Sequence, residues 1–225
     1  MIKVISIDLW GTLIKSNPEY KKKRAEFIAL HCNKTIDEIN TIISTVKRDF
    51  VDSIETFGLH YDAIDMYRVI YNICEITTIP LKKLKYICND MFILYPPLII
   101  DGIEETLKAF KADGYKLILS SNTTLINGNV LSVMLDNQGL IKYFDKTLYS
   151  NEIEVSKPNP LFFKKLHIES QCLKCEIVHI GDSKKCDFDG ANNYGITPYF
   201  LSKNESFNLN TYNKIKSYNT INGSN

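Results

Sequence analysis

Three short apolar runs each end on side chains that can do chemistry. The first ends Ile7-Asp8-Leu9-Trp10-Gly11-Thr12, the second Leu119-Ser120-Ser121-Asn122, and the third Ile180-Gly181-Asp182-Ser183, with Asp187 a turn further on. Lys157 lies between the second and third runs, at a Lys-Pro step. If the runs are strands of one open parallel sheet, their carboxyl ends border a single crevice. Two carboxylates, a hydroxyl and Lys157 would then face one another. This set suits a hard cation together with a phosphate. Carboxylate oxygens hold magnesium, while a lysine and a hydroxyl balance the remaining phosphoryl charge. Taken singly, each residue has a plainer explanation. An aspartate after a strand often only caps a helix, Ser121-Asn122 fits a turn, and Lys157 fits a solvated loop. The set, in this order, is what points to a site.

The elements that must position these residues follow from periodicity. Lys3 to Leu9 is rich in Ile and Val, as in a strand buried on both faces of a parallel sheet. From about Pro18 to Phe92 every periodic stretch is helical. Thr35-x-x-Glu38 forms a capping box ahead of Ile39, Ile43, Val46 and Phe50. Ile64, Tyr67, Tyr71 and Cys74 mark a further helix, and Leu81, Leu84, Ile87, Cys88 and Met91 another, with Pro80 as its first residue. After Pro96-Pro97 helices and strands alternate. Asp101-x-x-Glu104 is expected to cap a helix carrying Ile103, Leu107 and Phe110; strands are expected at Lys116 to Ser120, Thr147 to Tyr149 and Ile177 to Ile180. Helices between strands imply crossover connections and a parallel, doubly wound sheet. The expected fold class is α/β, with a Rossmann-like core from residues 1–15 and 97–201 and an all-helical cap inserted at residues 16–96. The Asn- and Ser-rich tail, residues 202–225, is expected to be loosely ordered.

Composition narrows the partners. With 27 basic and 26 acidic residues the net charge is +1, which argues against a nucleic-acid binder that depends on a basic face. The longest apolar run, Phe92 to Ile100, is broken by Pro96 and Pro97 and falls short of the roughly 20 residues of a membrane span. The N-terminus has no small-residue cleavage site, so no secretory signal is expected. Cys172-x-x-Cys175 has only Cys186 nearby and precedes a strand, which fits reduced thiols in a cytoplasmic protein better than a zinc or redox site. The expected partner is a small molecule, and the expected state a monomer or homodimer.

On these residues the chain resembles the haloacid dehalogenase (HAD) superfamily. Asp8-Leu9-Trp10-Gly11-Thr12-Leu13 is similar to the family's D-x-D-G-T-L. Ser121-Asn122 matches its second signature and Ser150-Asn151-Glu152 leading to Ser156-Lys157-Pro158-Asn159-Pro160 its third; Gly181-Asp182-Ser183 with Asp187 matches the fourth. The likeness covers about Met1 to Leu201, including a helical cap between the first two signatures. It implies a hydrolase, first of all a Mg2+-dependent phosphatase acting on a small phosphorylated metabolite. Asp8 would attack phosphorus and form an aspartyl-phosphate that water then hydrolyses. The resemblance implies that Mg2+ is held by the Asp8 carboxylate, the main-chain carbonyl of Trp10 and Asp182. Asp187 would assist through water or by orienting Asp182 or Lys157. Gly11 would let backbone amides approach the phosphoryl oxygens closely. Thr12, Ser121 and Lys157 would stabilise transition-state charge, with Asn122 beside them at the phosphate.

Trp10 departs from the pattern. Family phosphatases carry an aspartate there, which protonates the leaving oxygen and later activates water; an indole can only donate a hydrogen bond. General acid–base catalysis contributes about 10²–10⁴ in rate, or roughly 3–5 kcal/mol. Three readings follow. A phosphatase could act on a substrate with a good leaving group, or draw an acid from the cap. A carbon-bond cleaver is the second: 2-haloacid dehalogenases carry an aromatic residue here and need no metal, although they lack the Gly-Asp pair that Gly181-Asp182 retains. A phosphonate-cleaving enzyme would instead use a cap lysine such as Lys47 as a Schiff base. The third is a binding protein without catalysis. Lys21-Lys22-Lys23-Arg24 fits a solvated helix face better than an anion-attracting one, and His179 fits a packed core residue. Caps set the substrate in this family and vary freely, so the sequence does not name it.

Overall fold

The computed structural model describes residues 1–202 and 204–222. In chain order, β1 (Val4–Ile7) and β2 (Ile14–Lys15) are followed by α1 (Pro18–Ala29), α2 (Ile36–Phe57), α3 (Ala63–Ile73), α4 (Leu81–Leu94) and β3 (Leu98–Ile99). Then come α5 (Ile103–Ala112), β4 (Lys116–Ser121), α6 (Gly128–Asn137), β5 (Lys146–Tyr149) and α7 (Ser150–Ile153). The chain continues through α8 (Pro160–Ser170), β6 (Ile177–Gly181), α9 (Gly190–Tyr194), β7 (Thr197–Phe200) and α10 (Leu209–Asn222).

β5-β4-β1-β6-β7 form one parallel sheet. Side-chain alternation sends Ile5, Ile7, Leu117, Leu119 and Ile180 to one face, against Leu107 and Phe110 of α5 and Leu131 and Leu135 of α6. Val4, Ile118, Leu148 and Ile177 go to the other, against Phe162, Phe163 and Leu166 of α8 and Ala191 of α9. Helices therefore cover both faces, and each fully buried Leu, Ile or Phe contributes about 1.5–3 kcal/mol. The register aligns Ile7 with Leu119 on one side and Ile180 on the other, so β4 and β6 end within two residues of β1. That alignment brings the reactive ends together.

The helical insertion leaves and rejoins the sheet through the antiparallel pair β2–β3, with Ile14 opposite Ile99. Its helices share a cluster of their own, including Ile39 and Ile43 of α2, Met66 and Ile70 of α3, and Leu84 and Cys88 of α4. The capping box forms at α2: Glu38 N donates to Thr35 Oγ1 (3.3 Å), and Thr35 N donates to Glu38 Oε2 (2.7 Å). Pro80 sits one residue earlier than expected, at the N-cap of α4.

Two expectations need correction. Asp101 does not cap α5; Gly102 holds the N-cap in a left-handed conformation (φ +82°), with no side-chain cap bond. The tail is not loosely ordered over its described part. Phe207 is fully buried and stacks on Phe110 at 6.1 Å, and Thr211 and Ile215 of α10 are buried in turn. Tyr212 packs edge-on to Phe110 and its hydroxyl donates to Asp113 Oδ2 at 2.7 Å. The cause is a buried stripe at four-residue spacing, Phe207, Thr211 and Ile215, set among Asn and Ser that mask it in composition. The expectation for residues 203 and 223–225 lies outside the described residues. β7 was also unforeseen, because Pro198 weakens its strand pattern; the sheet tolerates Pro198 because β7 is an edge.

Candidate active site

The site starts from polar residues in strands that are otherwise apolar. On the α8/α9 side of the sheet, Ser6 Oγ donates to Ser120 Oγ (2.8 Å) and lies 2.8 Å from His179 Nδ1. His179 Nε2 lies 3.0 Å from Asp187 Oδ1, which also accepts from Lys157 Nζ at 2.6 Å. Lys157 Nζ donates as well to Asp8 Oδ1 and to the Ser120 carbonyl, each at 2.8 Å. All three ammonium donors are thus placed, and the side chain is 1% exposed. Lys157 is the hub.

Each partner is fixed by its own element. Asp8 extends β1, and its amide donates to the Ile180 carbonyl of β6 at 2.9 Å. The Lys157 backbone is clamped by Asn122, whose Nδ2 donates to the Lys157 carbonyl and whose Oδ1 accepts from the Lys157 amide, both at 2.8 Å. Asp187 lies in a π-helical turn, Lys184–Asp189, where its Oδ2 accepts from the Ser183 amide at 2.9 Å. Gly181 must be glycine, since a Cβ there would lie 2.2 Å from Asp187 Cγ. Gly11 combines φ +79° with a hypothetical Cβ only 2.0 Å from Asp182 Oδ2.

Carboxylate oxygens of Asp8, Asp182 and Asp187 lie within 4.8 Å of one another. Hard oxygen donors at this separation fit a divalent cation such as Mg2+. Asp187 has its oxygens engaged by Lys157, His179 and Ser183, so Asp8 and the exposed Asp182 are the freer ligands. Burial raises the Asp8 carboxyl to about 7; Lys157 pulls it down, and Asp187 and Asp182 push it up. Burial disfavours the Asp187 anion too, but Lys157 and His179 outweigh it and hold that carboxyl well below the usual range. Burial would lower Lys157, yet Asp187 and Asp8 keep its ammonium above the ordinary lysine range. His179 is held neutral, chiefly by burial. One fixed cation therefore faces three carboxylates, and a bound divalent ion would relieve the excess negative charge.

A cavity of about 160 Å³ lies over this cluster, bounded by Asp8, Trp10, Lys157 and Asp182 below and by Lys47 and Glu55 of α2 above. Asn122 and Asp187 line it as well. Thr12 and Ser121 are not brought to it. Thr12 Oγ1 is buried without a hydrogen-bond partner among the described residues, and Ser121 Oγ donates to the Asn122 carbonyl at 3.1 Å. Asn122 grips the lysine backbone. Sequence reasoning overlooked Ser6, gave Ser120 no role, and read His179 as a packed core residue. The available signal was a hydroxyl or imidazole in a strand buried on both faces, where each polar atom needs a partner. The six cysteines are free, so Cys172 and Cys175 form no disulfide. No described helix is long and apolar enough to cross a membrane.

Comparison with known proteins identifies the family and the fold. The profile of the haloacid dehalogenase-like hydrolase family matches residues 2–195. The mouse haloacid dehalogenase-like hydrolase domain-containing protein 3 is 30% identical over 108 residues, 48% of this chain and 41% of that protein. A phosphoglycolate phosphatase of Vibrio vulnificus is 30% identical over 109 residues, 48% of this chain and 44% of the enzyme. These matches span less than half the length of either relative. The crystal structure of YfnB from Bacillus subtilis, a HAD-hydrolase bound to magnesium, superposes with a TM-score of 0.71 at 14% identity, covering 89% of this chain and 88% of that one. That likeness concerns the fold. The profile match extends over most of the sequence and includes every residue of the carboxylate–lysine cluster, so the chain belongs to the haloacid dehalogenase-like hydrolase family.

Proposed function

We propose that this hydrolase is a Mg2+-dependent phosphatase acting on a small phosphorylated metabolite through an aspartyl-phosphate on Asp8. The observation that carries the reading is the meeting of Asp8, Asp182 and Asp187 with Lys157 at the carboxyl ends of β1 and β6, beneath a small cavity. Asp8, the Trp10 main-chain carbonyl and Asp182 would hold Mg2+. When bound, the ion neutralises phosphoryl charge and so favours attack by an anion.

Lys157 occupies Asp8 Oδ1, which leaves Oδ2 as the attacking atom. A bond forms between Oδ2 and phosphorus as the bond from phosphorus to the leaving oxygen breaks. Water then cleaves the aspartyl-phosphate, returning the carboxylate and inorganic phosphate. Lys157 contributes fixed positive charge beside the transferred group, and Asp187 and Asn122 keep it in place. The Trp10 indole offers no proton-accepting atom, so the leaving oxygen departs as a stabilised anion or takes its proton from another group. Residues 16–96 act as the cap that excludes water and selects the substrate. The free thiols accord with a reducing, cytoplasmic setting.

Phosphate release over a panel of sugar phosphates, nucleotides and acyl phosphates tests the reading. Release should require Mg2+ and vanish in Asp8→Asn; release that persists in a chelator refutes it. A second reading, phosphonate cleavage through an imine, draws support from Lys47, which lines the same cavity. Desolvation, with Arg24 and Lys21 nearby, pulls its ammonium below the ordinary range. Borohydride with an aldehyde-bearing phosphonate would then leave an adduct on Lys47. No adduct by mass spectrometry removes that reading.

A further inference from the structure

We infer that the substrate carries a second anionic group on an apolar or aromatic body, and that Arg24 receives this group in a larger cavity beside the catalytic one. The inference deepens the phosphatase reading and rests on it for the identity of the first anion. The larger cavity measures about 710 Å³. That lies within the range of roughly 300–1,000 Å³ usual for small-molecule sites. Trp10, Lys47 and Thr124 line both cavities, so the two adjoin.

Its charge is one-sided. Lys21, Lys22, Arg24 and Lys47 line it, against the single carboxylate of Asp37. Arg24 is the decisive residue. It is 7% exposed, its Nε is buried without a hydrogen-bond partner, and no carboxylate among the described residues pairs with it. Its Cζ lies 4.9 Å from the centre of the Tyr20 ring, and the buried neutral hydroxyls of Tyr20 and Tyr67 supply no counter-charge. A buried guanidinium with no counter-charge is strongly unfavourable unless an anion completes it. Its planar fork suits a carboxylate or a phosphate. The solvated-face reading of Lys21-Lys22-Lys23-Arg24 therefore fails at Arg24, which turns inward.

Aromatic rings lead from the catalytic cavity to this arginine. Trp10 and Phe92 have centroids 6.2 Å apart, and Phe92 and Tyr20 5.3 Å, before the 4.9 Å step to Arg24. A ligand body resting on these rings would have its phosphoryl end over Asp8 and its other anionic end at Arg24. Trp10 then serves as a shelf between the two cavities.

Two kinds of probe test this. With Mg2+, kcat/KM is measured for 4-carboxyphenyl and 4′-carboxybiphenyl phosphate, each beside its uncharged parent. Calorimetry measures binding of the corresponding non-cleavable phosphonates. The carboxylated member of at least one pair should be favoured about tenfold or more in both measurements. That ratio should fall towards one in Arg24→Met and partly recover in Arg24→Lys. No preference in the wild-type protein, or a preference that survives Arg24→Met, overturns the inference, as does binding of none of the phosphonates. If Arg24→Met does not fold, the wild-type ratios decide, with Lys47→Met as the second variant expected to lower them. Phosphate release without preference would leave the phosphatase reading standing and sink this one. Selective binding without any release would do the opposite.

Discussion

Gly11 links backbone geometry to the proposed metal site, and replacing it separates the two. At φ +79° an L-residue is strained by about 1–2 kcal/mol. A Cβ at Gly11 would also stand 2.0 Å from Asp182 Oδ2, so that oxygen must retreat by more than about 1 Å to reach an ordinary contact. Asp182 is exposed and can swing away without unfolding anything. Gly114 supplies the control. It has φ +82°, and a Cβ there would meet nothing within 4 Å. Gly11→Ala and Gly114→Ala should therefore lose similar stability, about 1–2 kcal/mol in urea titration, a modest part of the 5–15 kcal/mol typical of folded proteins. Only Gly11→Ala should lose divalent-ion affinity, by about 10–100-fold, as when a ligand loses its orientation. Calorimetric titration of the protein with Mn2+ and with Mg2+ reads this directly. Wild-type affinity in Gly11→Ala, or an equal loss in Gly114→Ala, would refute the placement of Asp182 as a ligand held by the Gly11 turn.

Other substitutions probe separate links. Asn122→Ala removes both hydrogen bonds to the Lys157 backbone and should cost about 1–3 kcal/mol of stability while lowering kcat; unchanged urea unfolding and turnover would show that the clamp is idle. Asp145 accepts from Lys111 Nζ and from the Leu117 amide at the start of β4. Burial opposes its charge, but these donors win and lower the carboxyl from its ordinary 3.8. Its stabilisation is thus complete above that pH and lost as pH falls through the depressed value, so Asp145→Asn should flatten the acid limb of the stability profile below about pH 4; an identical acid limb would contradict this. Trp10→Asp should raise turnover of simple alkyl phosphates, by up to the 10²–10⁴ that a general acid contributes. Unchanged or lower rates would show that the indole itself has a positive role.

The parts of the fold that repeat were legible in the sequence, and so were the residues that end its strands. Periodicity located β1, β4 and β6 because strands buried on both faces leave apolar runs, and it found the edge strand β5 from its buried Leu148 and Tyr149. It lost β7 and the two-residue pair β2–β3, which are too short or too interrupted to make a pattern. It misjudged α10 because Asn and Ser dominate composition while a stripe led by Phe207 and Ile215 carries the packing. Asp8, Lys157, Asp182 and Asp187 could be singled out by type and order. Their division of labour could not. That Asp187 is saturated by Lys157, His179 and Ser183, and that Asn122 holds main chain, depends on contacts between residues 4 to 35 positions apart.

On the phosphatase reading, a tryptophan at position 10 is easier to understand beside the larger cavity. An aspartate there would stand at the junction of the two cavities, close to Lys47, and would cancel part of the positive charge that surrounds Arg24. An indole leaves that charge intact: Lys47 Nζ lies 5.8 Å from the Trp10 ring centre, an attractive arrangement. On that reading, a leaving group expelled towards four cations would have its new negative charge stabilised electrostatically, which would lessen the need for proton transfer at the moment of bond breaking. The same cations attract a second anion. On the proposed reading, an indole in place of a general acid and selection of a doubly anionic substrate would both follow from one arrangement of charge around position 10.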